Sequence, residues 1–276
     1  MRKVVIYVGV MLLCALSVQA QSDKEGKYED LVTKYFQYYE QQKPDSAEIM
    51  LHQALALMPD ADSNFMLRGN LAELMVARAD TVGAISQLSL AIGQQPDIAN
   101  LRSRRAQLLE DSGKLNDALL DLDYLVQQDE NKEIPRYNRA RVRMKLGLLE
   151  GSKSDLEKII EHNNEAYLPR IALAKVLYKE GDMMASEKVL TYLIETYPKV
   201  PNAYRERARL RMKQDRKALA LEDIRYIFNE LKTITPEDYR IRGDIWMLYG
   251  EKDQAEKDFE RAIDLENLQS FNLNDK

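Results

Sequence analysis

The chain is poor in the residues that carry most enzyme chemistry. In 276 residues there is one cysteine, Cys14, and there are two histidines, His52 and His162. Cys14 lies inside an apolar run near the N-terminus, and the residue before it is Leu13 rather than the small residue a lipidation signal needs. Once that run is removed, the chain has no thiol for a disulfide, a nucleophile or a metal site. The two histidines fall in different parts of the chain, and neither has a second histidine or a suitable carboxylate at metal-ligand spacing. No Gly-rich phosphate loop, Gly-x-Ser-x-Gly elbow or His-Glu-x-x-His motif is present. These absences predict a protein that is not an enzyme and carries no cofactor and no metal. Glycine (11) and proline (8) are scarce, which disfavours a turn-rich β fold. The 40 basic residues do not outnumber the 45 acidic ones, and the net charge of −5 gives no reason to expect nucleic acid.

The first twenty residues differ from the rest. Arg2 and Lys3 precede thirteen residues, Val4 to Leu16, that are apolar apart from Gly9. Val18-Gln19-Ala20 then supplies small-x-small spacing. This layout predicts a secretory signal at 1–20 cleaved after Ala20, since the run is short for a membrane span. An uncleaved anchor is the alternative. Of the 40 basic residues, removal of Arg2 and Lys3 leaves 38 against 45 acidic, a charge of −7. No later run approaches membrane-spanning length, so the expected location is the periplasm, with secretion or anchoring as alternatives.

The rest of the chain repeats. Small residues recur at Ala47, Ala84, Ala118, Ser152, Ser186, Ala220 and Ala255, in steps of 37, 34, 34, 34, 34 and 35. Twelve residues upstream, a second ladder with the same steps runs through Tyr35, Ala72, Ala106, Ala140, Ala174, Ala208 and Gly243. Four residues downstream of the first stand Leu51, Leu88, Leu122, Leu156, Leu190, Ile224 and Phe259. Between the two small-residue ladders glycine recurs at Gly113, Gly147, Gly181 and Gly250. Two antiparallel helices pack closely where small side chains sit at their crossing. The large apolar residue one turn later fills the groove, and glycine ends the first helix at positive φ. A single such hairpin cannot bury its apolar faces, so the units must stack.

With Gly243, Gly250, Ala255, Phe259 and Ala262 in the last unit, and Tyr137-Asn138-Arg139-Ala140 followed by Lys145-Leu146-Gly147 in the fourth, the pattern resembles the 34-residue tetratricopeptide repeat (TPR). The resemblance implies an all-α TPR solenoid forming a superhelix, of the kind found in exported bacterial TPR proteins. Seven repeats are predicted: 28–61, 65–98, 99–132, 133–166, 167–200, 201–234 and 236–269. Residues 21–27 form a lead-in and 270–276 a tail. Repeats one and two depart from the pattern: Tyr35 replaces a small residue, and Gln42 and Ala79 stand in for glycine.

Arginine is concentrated on the predicted first helices and acid on the second. Place 7 of the repeat is Arg105, Arg139, Arg207 and Arg242 in the four repeats whose place 23 is Asp121, Asp155, Asp223 and Asp258. Where place 7 is Leu71 or Leu173, place 23 is Gln87 or Val189. This matching predicts an Arg–Asp strut joining the two helices of one repeat.

With those arginines set aside, the resemblance implies that places 2, 5, 9 and 12 line the concave face. In repeats four to seven these give Tyr137, Arg141, Met144, Ile171, Lys175, Tyr178, Arg205, Arg209, Met212, Arg240 and Met247. Cations interleaved with Tyr and Met suit a protein or peptide partner with acidic and apolar side chains, or a free C-terminus. An inner face with no single ligand would look the same. The lysine and asparagine clamp of chaperone-tail binders is not expected, because Ser103, Gln107, Leu168 and Ala172 stand where its members should be. The resulting expectation is a non-catalytic adaptor or scaffold of the cell envelope, with a structural subunit of an envelope assembly or secretion complex, contacting partners through its ends and convex face, as the alternative. Leu268, Phe271 and Leu273 are expected to cap the last repeat or dock elsewhere.

Overall fold

Small side chains sit at the helix crossings of the computed structural model, and they are buried. Every member of the first ladder, from Ala47 to Ala255, is at most 2% exposed, and Ala72, Ala106, Ala140, Ala174 and Ala208 of the second are equally enclosed. Where the first ladder carries serine, the hydroxyl is used. Ser152 Oγ donates to the Ala140 carbonyl at 2.7 Å, and Ser186 Oγ to the Ala174 carbonyl at 2.8 Å. Each hydroxyl thus bonds the backbone of the small residue twelve places upstream, on the partner helix, so its burial leaves no polar group unsatisfied. Leu51, Leu88, Leu156, Leu190 and Ile224 of the third ladder are at most 1% exposed. Each such side chain contributes roughly 1.5–3 kcal/mol of hydrophobic stabilisation.

The structure describes residues 2–129 and 131–274, with side chains from 21–129 and 131–268. Among the described residues there are fourteen α-helices in consecutive pairs and no strand. Two compact units divide the chain, at Asp129 and Glu130. The first unit contains α1 (Arg2–Glu40), α2 (Pro44–Leu57), α3 (Asn64–Ala77), α4 (Thr81–Gln94), α5 (Ala99–Asp111) and α6 (Leu115–Gln128). Each packs on the next. The second contains α7 (Glu133–Lys145), α8 (Leu149–His162), α9 (Tyr167–Lys179), α10 (Met183–Thr196), α11 (Pro201–Lys213), α12 (Lys217–Tyr226), α13 (Pro236–Tyr249) and α14 (Lys252–Asn274). Here, too, each helix packs on the next. The odd-numbered helices also touch, α7 on α9, α9 on α11 and α11 on α13.

The predicted turn glycines all have positive φ: Gly113 (73°), Gly147 (78°), Gly181 (89°) and Gly250 (80°). So do the non-glycine residues at the same place, Gln42 (55°), Ala79 (62°) and Asp215 (59°). The left-handed turn therefore belongs to every hairpin, including those whose sequence departs from the pattern. The longer step before the last hairpin has a local cause. The even helices α4, α6, α8 and α10 each have 14 residues, whereas α12 continues into a π-helical turn, Ile227–Leu231, that ends at Lys232 with φ 56°. A π turn accommodates one extra residue without breaking the helix.

At the N-terminal end, the backbone from Arg2 through the predicted leader, lead-in and first repeat helix runs as one helix, α1. The leader's side chains lie outside the described residues. No helix among the described residues is long and apolar enough to cross a membrane. At the other end α14 runs through Asn274, so the predicted tail continues that helix. Leu268 is exposed, and the side chains of Phe271 and Leu273 lie outside the described residues.

Candidate functional site

The paired Arg and Asp positions meet. Arg105 donates from Nε and Nη2 to the two oxygens of Asp121 at 2.8 and 2.7 Å. Arg139 does the same to Asp155 at 2.9 and 2.6 Å, and Arg242 to Asp258 at 2.8 and 2.6 Å. Arg207 Nη2 reaches Asp223 at 2.7 Å. All four carboxylates are at most 5% exposed. Each strut joins the two helices of one hairpin, which fixes how the odd helix presents its outer face.

The struts are more populated than the sequence suggested. Arg102 also reaches Asp121 at 3.1 Å, and Arg211 reaches Asp223 at 2.8 Å. Asp155 accepts from Arg136 at 3.3 Å and from Arg143 at 2.8 Å in addition to Arg139. These extra arginines sit three residues before or four after the strut arginine, on the same helix face. That periodicity is the signal that would have found them. A second pairing joins places 4 and 26: Arg102 lies over the Tyr124 ring at 3.8 Å, Arg170 over Tyr192 at 5.4 Å, and Tyr204 stacks on Tyr226 at 4.7 Å.

A cleft of about 350 Å³ opens in the second unit between α9, α11 and α13. Its floor is Ala174, Leu190 and Leu210; its walls are Lys175, Tyr178, Glu206, Arg209, Met212, Lys213 and Asp244. Four of the eleven residues predicted for the concave face, Lys175, Tyr178, Arg209 and Met212, line it. Tyr137 lies instead beside a separate hollow of about 300 Å³ with Ile134, Tyr167 and Leu168. Arg141 is half-buried on α7, Met144 packs against the core of Ala140, Leu156 and Val176, and Met247 is exposed on α13.

Two of the predicted residues are not on an accessible face. Ile171 is buried with Leu193 and Ala203. Arg205 is 7% exposed and grips Asp238 of α13 through two bonds of 2.7 and 2.8 Å. Asp238 is fully buried and also accepts from the Thr235 backbone and hydroxyl, as part of the capping box that starts α13. The hydrogen bond to Asp238, against the opposing effect of burial, raises the Arg205 guanidinium above its ordinary range. Place 5 in this repeat has become an inter-repeat tie, because the following helix offers a carboxylate at its third residue.

The cleft is of mixed charge rather than purely basic. Glu206 holds both Lys175 at 3.0 Å and Arg209 at 2.9 Å, and Arg209 also reaches Glu237 at 2.5 Å. Arg240, further along α13, pairs with Glu266 of α14 at 2.7 Å. Three cations (Lys175, Arg209, Lys213) face two acids (Glu206, Asp244) on the walls. Burial pushes the Asp244 carboxyl above the usual range, against the opposing pull of Arg209. Glu206, Lys213 and Asp244 were not among the predicted residues. They occupy places 6, 13 and 9 of their repeats, and only the first two lie outside the places taken as groove-lining. His52 and His162 are both exposed, the first 3.6 Å from Glu48 and the second bonded to the Lys158 carbonyl.

No protein-family model matches the sequence, and a search of curated proteins finds no match. Solved structures do match. A tetratricopeptide repeat protein from Parabacteroides merdae is similar at 26% identity over 86% of this chain and 93% of that one, with a TM-score of 0.75. PilW, described as a type IV pilus biogenesis factor, is similar in fold at 15% identity over 72% and 91%, with a TM-score of 0.58. A TPR protein from Thermus thermophilus matches at 15% identity over 60% and 91%, with a TM-score of 0.54. The chain has the tetratricopeptide-repeat fold.

Proposed function

From this fold we propose that the chain is a non-catalytic binding module of the cell envelope, and that the cleft between α9, α11 and α13 holds a segment of a protein partner. The observation that carries the reading is the placing of two cations, Lys175 and Arg209, on the cleft wall beside the apolar side chains of Tyr178 and Met212. Lys175 and Arg209 share one carboxylate, Glu206, across two neighbouring helices. A partner carboxylate entering between them would meet two cations that are already positioned, so little side-chain ordering remains to oppose binding. Tyr178 and Met212 offer apolar surface beside that point, and methionine adapts to irregular side chains. The ligand class is therefore an acidic segment with apolar neighbours, or a free C-terminal carboxylate.

The envelope assignment rests on the basic start, apolar run and small-x-small site at 1–20. Export is tested by N-terminal sequencing of the native protein, which should begin at Gln21; a chain that retains Met1 or residues 2–20 contradicts cleavage.

Binding is tested by selecting phage-displayed random 12-residue peptides on the chain from residue 21 onward. A class enriched in Asp, Glu or a C-terminal carboxylate beside apolar residues is expected. Its affinity should fall at least about tenfold in Lys175→Glu/Arg209→Glu. Peptides whose affinity is unchanged by that variant would refute the assignment.

A further inference from the structure

The first unit carries an apolar cleft of its own, and its charge balance is opposite to that of the α9–α11–α13 cleft. It lies among α1, α3 and α5 and has a volume of about 750 Å³. Phe36 and Met66 are 51% and 53% exposed there, and Ile98 is 37% exposed. Large apolar side chains left this open in one concave place mark an interaction surface more than an ordinary solvated face. Gly69 on α3 lets Leu101 of α5 pack close, its Cδ2 3.2 Å from where a Cβ would be. Phe36 and Met66 stand exposed beside that contact and wall the cleft.

The charges around it are few and largely decided. Arg104 donates from Nε and Nη2 to both oxygens of Glu73, each at 2.7 Å, so those two opposite charges offset one another. The remaining charged wall residue, Glu29, forms no ion pair among the described residues and is exposed. The cleft thus offers one uncompensated carboxylate beside a wide apolar surface.

We infer that the cleft among α1, α3 and α5 is a second docking site, whose occupant is a segment of a partner protein carrying large apolar side chains next to a lysine or arginine. The apolar side chains cover Phe36, Met66 and Ile98, and the cation meets Glu29. An acidic segment of the kind assigned to the other unit would face Glu29 with like charge and is selected against. A chain with both sites can hold two different segments. This inference uses residues of the first unit alone and does not rest on the reading of the second.

The test uses the chain from residue 21 onward and random 12-residue peptides displayed on phage. A class is expected that places Lys or Arg beside Leu, Phe, Trp or Met. In fluorescence polarisation with the enriched peptides, Met66→Asp should weaken binding at least tenfold. Val82→Asp, which changes a more exposed apolar residue outside the cleft (73% exposed), should leave affinity within twofold. Glu29→Lys, on an exposed side chain, should shift the selected class away from basic peptides with no change in melting temperature. Lys175→Glu/Arg209→Glu should not affect this class. The proposal is overturned if no basic–apolar class emerges, if its binding survives both Met66→Asp and Glu29→Lys, or if the exposed patch proves instead to pair two copies of the chain, seen as a dimer that Met66→Asp dissolves.

Discussion

Arg139 and Asp155 form a two-point strut between α7 and α8, with Nε and Nη2 at 2.9 and 2.6 Å from the two carboxylate oxygens. Because Asp155 also accepts from Arg136 and Arg143, one buried carboxylate holds three guanidiniums in place. Asp258, by contrast, is paired with Arg242 alone among the ion pairs described. Removing a buried acid breaks every bond it accepts, at about 3–5 kcal/mol for a buried pair. Asp155→Ala is therefore expected to destabilise more than Asp258→Ala. In the simpler pair, Arg242→Met/Asp258→Leu should recover most of the loss of Asp258→Leu, since replacing both charges with apolar groups removes the stranded ion. Urea denaturation of the four variants checks both orderings.

The left-handed turn at Ala79 gives a prediction of opposite sign. With φ at 62°, its Cβ crowds the following carbonyl, which costs a non-glycine residue about 1 kcal/mol or slightly more. Ala79→Gly should raise stability by about that amount, less the extra unfolded-state entropy of glycine. Gly113→Ala, at φ 73°, should lower it. A rise in denaturation midpoint for the first and a fall for the second are the expected readings.

Two helical glycines should respond in opposite ways to the same change. A Cβ at Gly243 would lie 2.6 Å from Phe259 Cε1 and 2.9 Å from Cδ1, inside the ring's contact distance. Gly243→Ala should therefore cost about 1–3 kcal/mol through overpacking. Gly93, on an exposed face of α4, has nothing within 4 Å of its Cβ direction. Gly93→Ala should stabilise by up to about 1 kcal/mol through helix propensity. Thermal melts of the pair distinguish close packing from propensity.

The seven-hairpin pattern was open to reading because it rests on residues that sterics forces: small ones at crossings and glycine at positive φ. Ala140, Ala174 and Gly147 carried the register, and the turn geometry persists at Gln42 and Ala79 where those markers are missing. The place 7 to place 23 matching showed the struts, since a charge that must be buried needs its partner in the same repeat. The cleft was less legible. Arg205 and Arg209 are four residues apart on one helix, yet Asp238 draws the first into the interior while the second stays half-buried on the cleft wall. Which of two similar arginines meets a carboxylate is decided by the neighbouring helix, and periodicity does not show that. The cleft in the first unit was legible in part: Phe36, Met66 and Gly69 occupy places 9, 2 and 5 of their repeats, whereas Ile98 and Leu101 reach it only through packing.

Glu187 gives a pH-dependent prediction. Burial would raise its carboxyl pKa, but hydrogen bonds from Arg216 and Arg211, the latter at 3.0 Å, outweigh that and hold it below the usual carboxylate range. A depressed folded pKa contributes stability above the unfolded value, about 4.3 for glutamate, and that contribution disappears as pH falls through the folded value. Glu187→Gln should thus be less stable than the natural chain at pH 7, by about 1 kcal/mol. The difference should shrink as the pH drops below about 4. Denaturation midpoints across this range check the sign; a gap that widens on acidification contradicts it.

The arginines of the odd helices divide into struts that join the helices of a hairpin and cations proposed to meet a partner. The most direct test is titration calorimetry of one enriched acidic peptide against three proteins. These are the natural chain, Arg242→Met/Asp258→Leu and Lys175→Glu/Arg209→Glu. The account predicts that the strut variant keeps the natural affinity within about twofold, while the cleft variant loses at least about tenfold, 1.4 kcal/mol, with its melting temperature unchanged. An affinity that follows the strut variant and ignores the cleft variant would contradict it.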